Sequence, residues 1–356
     1  MAPPPPELNE DITAEILLRP PPDEPAHLVR ASLVCKPWRR ILSNRAFLRR
    51  NRRFHRTPPL LGFFDNILSC SFVPITAAFP FPKAAFNSRP AWYVLDSHHG
   101  RVLLQHRIAY SFLVWDPITG EPQEVRDPNM WCESTVVLCA VAGCDHCVCH
   151  GGPFIVVCVS TNARKDSVRG CVYSSQDGKW GDLVSVHLFV NIDHCWDHVK
   201  SGALVGDGVY FVLALVAGDR ILKYDLGMHC LSTIDLPDLD SNKNNVLMET
   251  EDGLLGLATN SASTLLLWSR MVAGWVQYRV IDLQTVLPIT ISMDTVKVIG
   301  FAEGVNIMLV GTNVGTFIIG LARKVSGAIY NHIIPFIGFY TSDYASSKLL
   351  LPVETN

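Results

Sequence analysis

A short unit recurs along most of the chain, and this recurrence limits the fold more than any other feature. Each unit opens with a Gly turn that leads into an apolar run, as in SHHGRVLL, GDGVYFVL, EDGLLGLA and AEGVNIMLV. A later run ends near an aromatic residue, as in FLVWDPITGEP and ILKYDLGMHCLSTIDL. Short apolar runs between turn residues predict strands, and a period of roughly 45 to 60 residues is typical of four-stranded propeller blades. We therefore predict an all-β, propeller-like domain of about five or six blades over residues 92 to 340, with residues 60 to 90 as the candidate sixth blade.

The composition agrees with a compact, turn-rich protein. The chain is 48% hydrophobic and 18% charged, with 24 Gly and 23 Pro. Its net charge of −3 provides no general basic field for nucleic acid or an anionic membrane. Residues 305 to 322 lack charge, but Gly interrupts them, so we predict two buried strands joined by a turn rather than a membrane helix.

The cysteines and the N-terminus indicate a compartment. The cysteine count is 11, an odd number, and MAPPPPELNEDI has neither a basic start nor an apolar core typical of an export signal. These features predict reduced thiols and a cytoplasmic or nuclear location.

The first sixty residues predict helices instead of strands. Asn9 can cap a helix over residues 9 to 19, which the prolines at 20 to 22 end. A second helix is expected to begin after Asp23 and to end near Cys35, because Pro37 restricts the residue before it. Pro37 suits the first turn of a third helix, and a basic segment then continues toward Thr57.

The second helix carries more apolar surface than a small helical module can bury. Leu28, Ala31 and Cys35 lie along one stripe, and Val29 and Leu33 along another. Two explanations remain open at this point. The helices pack against the chain's own β domain, or they dock on a second protein.

Residues 8 to 50, LNEDITAEILLRPPPDEPAHLVRASLVCKPWRRILSNRAFLRR, resemble an F-box. The EILLR helix, the VCK-Pro-Trp-Arg core and the FLRR ending occur together at the spacing of that family. The chain departs from the pattern at Asn9, Pro20 and Asn44-Arg45, and Pro20 removes one apolar contact at the end of the first helix. The remainder is similar to plant F-box proteins that have a C-terminal propeller-like, F-box-associated region.

This resemblance implies a non-catalytic substrate receptor. The helices would dock on a Skp-type adaptor and, through it, on cullin and RING subunits, while the propeller captures a protein target for ubiquitination. Trp38 is the expected anchor, since aromatic residues dominate interfaces. The implied adaptor-facing residues are Leu8, Ile12, Ile16, Leu17, Leu28, Val29, Val34, Cys35, Trp38 and Leu42.

The expected organisation is therefore α+β, with a three-helix module ahead of the propeller. A Pro-rich N-terminus occupies residues 1–7, the helical module 8–56, a connector or partial first blade 57–91, the propeller 92–340 and a tail 341–356.

Two further segments carry chemistry-bearing residues. RRILSNRAFLRRNRRFHR contains eight Arg, for which a solvated helical face is favoured over nuclear import or nucleic-acid binding. CDHCVCH invites a zinc interpretation, but seven contiguous residues wrap an ion poorly unless Cys139 or Cys158 joins them, so a blade loop with buried thiols is favoured. We assign no metal ligands and no cofactor from sequence.

The remaining candidates indicate no catalytic machinery. HCWDH, residues 194 to 198, has no nucleophile beside it, and Trp115, Tyr224 and Trp268 recur at equivalent blade positions, which indicates packing. The alternatives to a ligase receptor are a propeller binding module or enzyme, for example carbohydrate-directed, with an incidental helical arm, and a metal-dependent scaffold.

Overall fold

The structure is a computed structural model of the 356-residue chain. It describes residues 9–65, 71–75, 92–109, 111–116, 122–130, 132–144, 146, 149, 151–162, 167–188, 202–213, 218–238, 245–261, 263–287, 296–305, 307–319, 323–326 and 333–339.

The N-terminal region forms four short helices around one small core. They are α1 (Glu10–Leu17), α2 (Ala26–Val34), α3 (Lys36–Leu42) and α4 (Arg45–His55). The first three match the predicted helices. Their shared core consists of Leu17, Leu18, Leu28, Ile41, Leu42 and Phe47.

The fourth helix corrects the expectation of three. The backbone amide of Ala46 donates to Asn44 Oδ1 at 2.8 Å, so Asn44 caps a new helix immediately after α3. Phe47 of this helix is buried in the helical core, which gives the basic segment an apolar attachment. The sequence pattern predicts only a basic continuation after the third helix, because the many arginines of this segment obscure the cap.

Five antiparallel blades follow along the chain, of which the second has five strands and the others four. The first blade consists of β3 (Trp92–His98), β4 (Arg101–His106), β5 (Phe112–Trp115) and β6 (Pro122–Val125), and the second of β7 (Ser134–Cys139), β8 (Phe154–Asn162), β9 (Ser167–Ser174) and β10 (Lys179–Trp180), with β11 (Val184–His187) also paired to β9. The third blade consists of β12 (Ala203–Val205), β13 (Gly208–Leu213), β14 (Arg220–Asp225) and β15 (Cys230–Asp235), and the fourth of β16 (Val246–Glu249), β17 (Leu255–Ser261), β18 (Thr264–Met271) and β19 (Gly274–Asp282). The fifth blade consists of β20 (Lys297–Ala302), β21 (Ile307–Thr312), β22 (Gly315–Ile319) and β23 (Arg323–Ser326). A short helix, α5 (Leu283–Val286), follows the fourth of these blades.

The sixth blade joins the two ends of the propeller. Strand β1 (Leu60–Asp65) lies between β2 (Ser71–Pro74) and β24 (Ile333–Ile337) and pairs antiparallel with both. The structure thus shows a six-bladed propeller, in agreement with the predicted five or six blades. Within the candidate region 60 to 90, the described residues supply β1 and β2, and the third described strand of this blade comes from the far end of the chain.

The blade cores explain the repeated residues. Trp115, Tyr224 and Trp268 all lie on the third strand of their blades, and Trp115 and Tyr224 are fully buried, as their interpretation as packing residues predicts. The apolar stretch 305 to 322 contains the hairpin of β21 and β22, which confirms the two predicted strands. No helix within the described ranges is long and apolar enough to span a bilayer.

One pair of cysteines departs from the expected reduced state. Cys132 and Cys158 form a disulfide, with their Cα atoms 5.8 Å apart, inside the core shared by the first two of the five blades. The chain turns into β7 just after Cys132, and β8 runs beside β7, so two residues 26 positions apart in sequence meet at bridging distance.

Candidate functional site

The predicted adaptor-facing residues separate into buried and exposed sets. Leu17, Leu28 and Leu42 are buried in the core of the helical module, and Trp38 packs partly against it. Val29 packs against the propeller cluster that contains Phe64 and Phe336. These five residues therefore already have partners within the chain, and Leu8 lies outside the described residues.

The other predicted residues face solvent. Ile12 and Ile16 are 51% and 46% exposed along one side of α1, and Val34 at the end of α2 is 65% exposed. Cys35, the C-cap of α2, is exposed as well. Leu33 was not assigned to the adaptor face, although it is 79% exposed. The sequence signal that could have included Leu33 in the predicted set is the apolar stripe that it shares with Val29 on the second helix.

Two ion pairs join helix α1, which carries Ile12 and Ile16, to the basic segment. Arg40 of α3 pairs with Glu10 of α1, and Arg50 of α4 pairs with Glu15 of α1. Of the eight Arg in the basic segment, seven are exposed and only Arg52 is buried. The predicted solvated face is therefore present, and it belongs to the same helical module as the exposed apolar side chains.

A second candidate site lies at one mouth of the propeller. Successive blades are related by rotation about the channel, so their first strands run in the same direction and end at the same mouth. His98 and Cys139 end the first strands of two adjacent blades, while Glu249 ends that of a third and Glu303 follows the end of a fourth. The fold thus gathers titratable side chains that are up to 205 residues apart in sequence.

His98 lies between two carboxylates at this mouth. Its Nδ1 is 2.9 Å from Asp96 Oδ2, and its Nε2 is 3.0 Å from Glu303 Oε2. Burial disfavours the charged imidazolium, but the attraction and hydrogen bonds of Asp96 and Glu303 outweigh it and raise the pKa of His98 well above its ordinary value. Burial, followed by repulsion from Glu303, raises the pKa of the Glu249 carboxyl.

The neighbouring His99 is held in the neutral state. The two-residue turn His99-Gly100 between β3 and β4 has φ of 52° and 74°, a type I′ geometry in which Gly is favoured. Burial lowers the pKa of His99 to about 2, and the electrostatic influence of His98, His146 and Arg101 acts in the same direction. Accordingly, His99 Nδ1 accepts a hydrogen bond from the Cys139 amide at 3.1 Å.

Four potential metal ligands come together beside His99. One ligand atom from each of Cys139, Cys144, His146 and Cys149 lies within 4.8 Å of the others. No metal ligands are assigned from the sequence, since the pattern alone leaves open whether Cys139 joins the CDHCVCH run, and the fold places Cys139 beside Cys144, His146 and Cys149. Cys158 is instead in the disulfide, and HCWDH lies outside the described residues.

Comparisons with known proteins find no family match and only distant structural similarity among the structures compared. No protein family profile matches the chain, and no curated protein sequence matches it. Similar solved structures include the six-bladed β-propeller lectin of the fungus Aleuria aurantia, at a TM-score of 0.39 and 13% identity over 75% of this chain and 89% of that one. A Bacteroides uniformis protein provisionally assigned as a 6-phosphogluconolactonase has a TM-score of 0.37 and 11% identity, and the match covers 63% of each chain. This chain thus matches less than two thirds of the length of that protein, and neither similarity bears on its function.

Proposed function

We propose that this chain is the substrate-recognition subunit of a Skp-cullin-F-box ubiquitin ligase. In this proposal, the helical module binds a Skp-type adaptor, and the propeller holds a protein target. Ubiquitin transfer then gains from the proximity of target and ligase, without a catalytic residue in this chain.

The observation that carries the proposal is the apolar surface that the helices leave uncovered. Ile12, Ile16, Leu33 and Val34 are at least 46% exposed, although the helices bury six other apolar residues in their own core. Burying a large aliphatic side chain stabilises by about 1.5 to 3 kcal/mol, so this surface favours a partner. It lies on the F-box-like segment, and Val29 already attaches the same helix to the propeller.

The charge of the helical module also supports docking on an acidic partner surface. The exposed arginines of α3 and α4 belong to the same helical module as the exposed apolar set and would favour an acidic surface on the partner. The propeller loops remain available for a second protein, as a bridging receptor requires.

Binding of the full chain to a purified Skp-type adaptor tests the proposal. Ile16→Asp and Val34→Asp place charges in the exposed set and should each weaken the affinity by about tenfold or more, since a buried unpaired charge is costly. Leu33→Ala should weaken binding while leaving thermal stability unchanged, because Leu33 makes no contribution to the helical core.

Two variants distinguish docking from folding. Leu28→Ala removes a buried side chain and should reduce both stability and binding. Ile108→Asp changes a residue that is 78% exposed on the propeller and should leave adaptor binding unchanged. The proposal is wrong if the wild-type chain does not bind the adaptor, or if Ile108→Asp and Val34→Asp reduce binding equally.

A propeller binding module with a helical arm is the second candidate function. The observation that favours it is the group of titratable side chains at one mouth, formed by the buried Asp96 and the partly buried His98 and Glu303. Absence of adaptor binding by a folded wild-type chain would leave this candidate as the better one.

A further inference from the structure

The loop between β7 and β8 returns to the strand from which it leaves. Cys139 is the last residue of β7, and Cys144, His146 and Cys149 follow in the loop, with four, one and two residues between successive donors. Because the loop folds back over the end of β7, the strand residue completes a set of three sulfurs and one imidazole within 4.8 Å.

We propose that Cys139, Cys144, His146 and Cys149 form a structural zinc site at the mouth of the propeller. This inference is independent of the proposed ligase function. Three Cys and one His are a recognised ligand set for structural zinc, which is bound tetrahedrally by four protein ligands. Soft sulfur donors with one imidazole select against calcium and magnesium, which prefer oxygen.

The geometry is close to that of a bound site. Zn–S bonds of about 2.3 Å place tetrahedral sulfurs about 3.8 Å apart, so donors that all lie within 4.8 Å need only a small contraction. Cys149 is buried and the other three ligands are partly buried, so side-chain rotation inside a loop, rather than movement of a whole blade, completes the tetrahedron.

Backbone amides support two of the sulfurs. The Val141 amide lies 3.5 Å from Cys139 Sγ, and the His146 amide lies 3.4 Å from Cys144 Sγ. Each donor amide is two residues after the cysteine whose sulfur it contacts. Hydrogen bonds to ligating sulfurs orient the ligands of metal sites and stabilise their negative charge.

The imidazole is oriented as well. The His146 ring stacks on the His99 ring, with centroids 3.5 Å apart and planes 9° apart, and His146 Nδ1 is 3.7 Å from Cys149 Sγ. His146 has φ of 55°, a conformation uncommon for a residue with a side chain. The loop thus holds this ring toward the three sulfurs.

A buried cation provides the charge that such a site needs. Zinc with three thiolates and a neutral imidazole carries one net negative charge, which is costly to bury unless it is compensated. Arg101 is 2% exposed, and its Nη1 is 3.8 Å from Cys149 Sγ. Its other hydrogen bonds go to the carbonyls of Cys149 and Gly152, and no ion pair with a carboxylate is found for it among the described residues.

Hydrogen bonds from Arg101 and to Asp116 hold the loop between β7 and β8 to the preceding blade. Arg101 begins β4, and the Gly151 amide donates to Asp116 Oδ2 at 3.0 Å just after β5. Zinc would therefore fix the end of β7, the loop and the neighbouring blade together. Because all four positions are filled by protein ligands, the role is structural, and substrate has no open coordination position.

Metal analysis of the purified full chain tests the site. Protein produced with zinc and exchanged into metal-free buffer should retain about one zinc per chain. Replacement by Co²⁺ should give the intense sulfur-to-cobalt absorption and the tetrahedral visible bands of a thiolate-rich site. Removal of zinc with a strong chelator should lower the melting temperature, and adding Zn²⁺ back should restore it.

Variants locate the ion. Cys144→Ser and Cys149→Ser should each lower zinc retention by at least about tenfold in metal-free buffer, since each removes a soft ligand. His146→Cys keeps four ligands and should retain the metal with a changed cobalt spectrum. Cys230→Ser changes an exposed free thiol on β15 and should retain zinc as the wild type does.

A folded wild-type chain that retains no zinc and shows no cobalt–thiolate absorption overturns the inference. So does a disulfide between two of the three cysteines in protein purified with zinc and mild reductant. If a Ser variant fails to fold, the wild-type metal content and its cobalt spectrum still decide the matter.

Discussion

His98 shows how one buried residue can couple the propeller to pH. It contacts Asp96 on its own strand and Glu303 just after the first strand of another blade, so its charge links distant parts of the ring. Asp96 also accepts from the Val137 amide at 2.8 Å, which holds this carboxylate beside the imidazole. A charged His98 therefore contributes to stability, and a neutral one contributes less.

We predict that His98→Gln destabilises the chain by about 1 to 3 kcal/mol at low pH and by less at high pH. The folded-state pKa of His98 is raised above its ordinary value of 6.5, so its contribution is complete below pH 6.5. It is lost as the pH rises through the raised folded-state value. Denaturant unfolding of wild type and variant across this range measures the difference.

His27→Gln is the matched control, because His27 pairs with Glu24 on the exposed surface of the helical module. Exposed pairs contribute little, so this variant should track the wild type at every pH. A His98→Gln deficit that grows with increasing pH would contradict the assignment of a charged His98.

At the scale of elements, helix α4 shows how one N-cap lets a basic segment bury an apolar side chain and keep its arginines in solvent. Ser43 ends α3 and Asn44 starts α4, so Phe47 turns inward while seven arginines of the segment remain exposed. Helix α2 has a similar division. Leu28 faces the helical core, Val29 the propeller and Leu33 the solvent.

We predict that Asn44→Ala destabilises α4 by about 0.5 to 2 kcal/mol, the usual effect of losing a side-chain N-cap. The hydrogen bond from the Ala46 amide to Asn44 Oδ1 is the interaction that it removes. Hydrogen exchange of the Ala46 and Phe47 amides should accelerate, and the helical circular-dichroism signal should decrease at a lower temperature.

Arg53→Ala, in the exposed interior of the same helix, serves as the comparison. It keeps the cap and replaces an exposed side chain with the best helix former, so exchange at Ala46 should not change. Equal acceleration in both variants would show that the cap is not what stabilises the first turn.

At the scale of the whole molecule, the two ends of the propeller are joined in one sheet. Strand β24 pairs with β1, and Phe336 contacts Phe64 and Phe72 with ring centroids 5.7 and 6.0 Å apart. The ring of blades therefore closes only when residues near 60 and near 335 meet. Such contacts have a high cost in loop entropy and depend on the rest of the ring being formed.

We predict that deleting residues 333–356 prevents cooperative folding of the propeller. The deletion removes Ile333, Ile334 and Phe336, each 1% exposed, and each is worth about 1.5 to 3 kcal/mol. Their sum is comparable with the total stability of a typical domain, about 5 to 15 kcal/mol. Calorimetry should show loss of the main unfolding transition.

Deleting residues 340–356 keeps all of β24 and is the control for a shortened C-terminus. This variant should retain the transition of the full chain. If both deletions unfold at the same temperature, closure by β24 does not stabilise the ring.

Local patterns in the sequence accounted for most elements of this fold. The strand runs, the Gly turns and the recurring third-strand aromatics follow from steric and hydrophobic preferences that act over a few residues, as do the caps and prolines that bound three helices. The two-strand interpretation of residues 305 to 322 was correct for the same reason. The split between α3 and α4 was missed because the arginines dominated the pattern there.

By itself, the sequence determined the propeller class, the approximate blade number and the apolar surplus of the N-terminal helices, since these depend on periodicity and composition. Only the tertiary structure decided which apolar residues remain exposed, because burial depends on how α2 packs between the helical core and the propeller. It also paired Cys132 with Cys158, placed His98 against Glu303 and brought Cys139 to the loop that follows it. No local pattern relates these residues: strand pairing and loop folding within one blade join the cysteines, and the arrangement of blades around the ring brings His98 to Glu303.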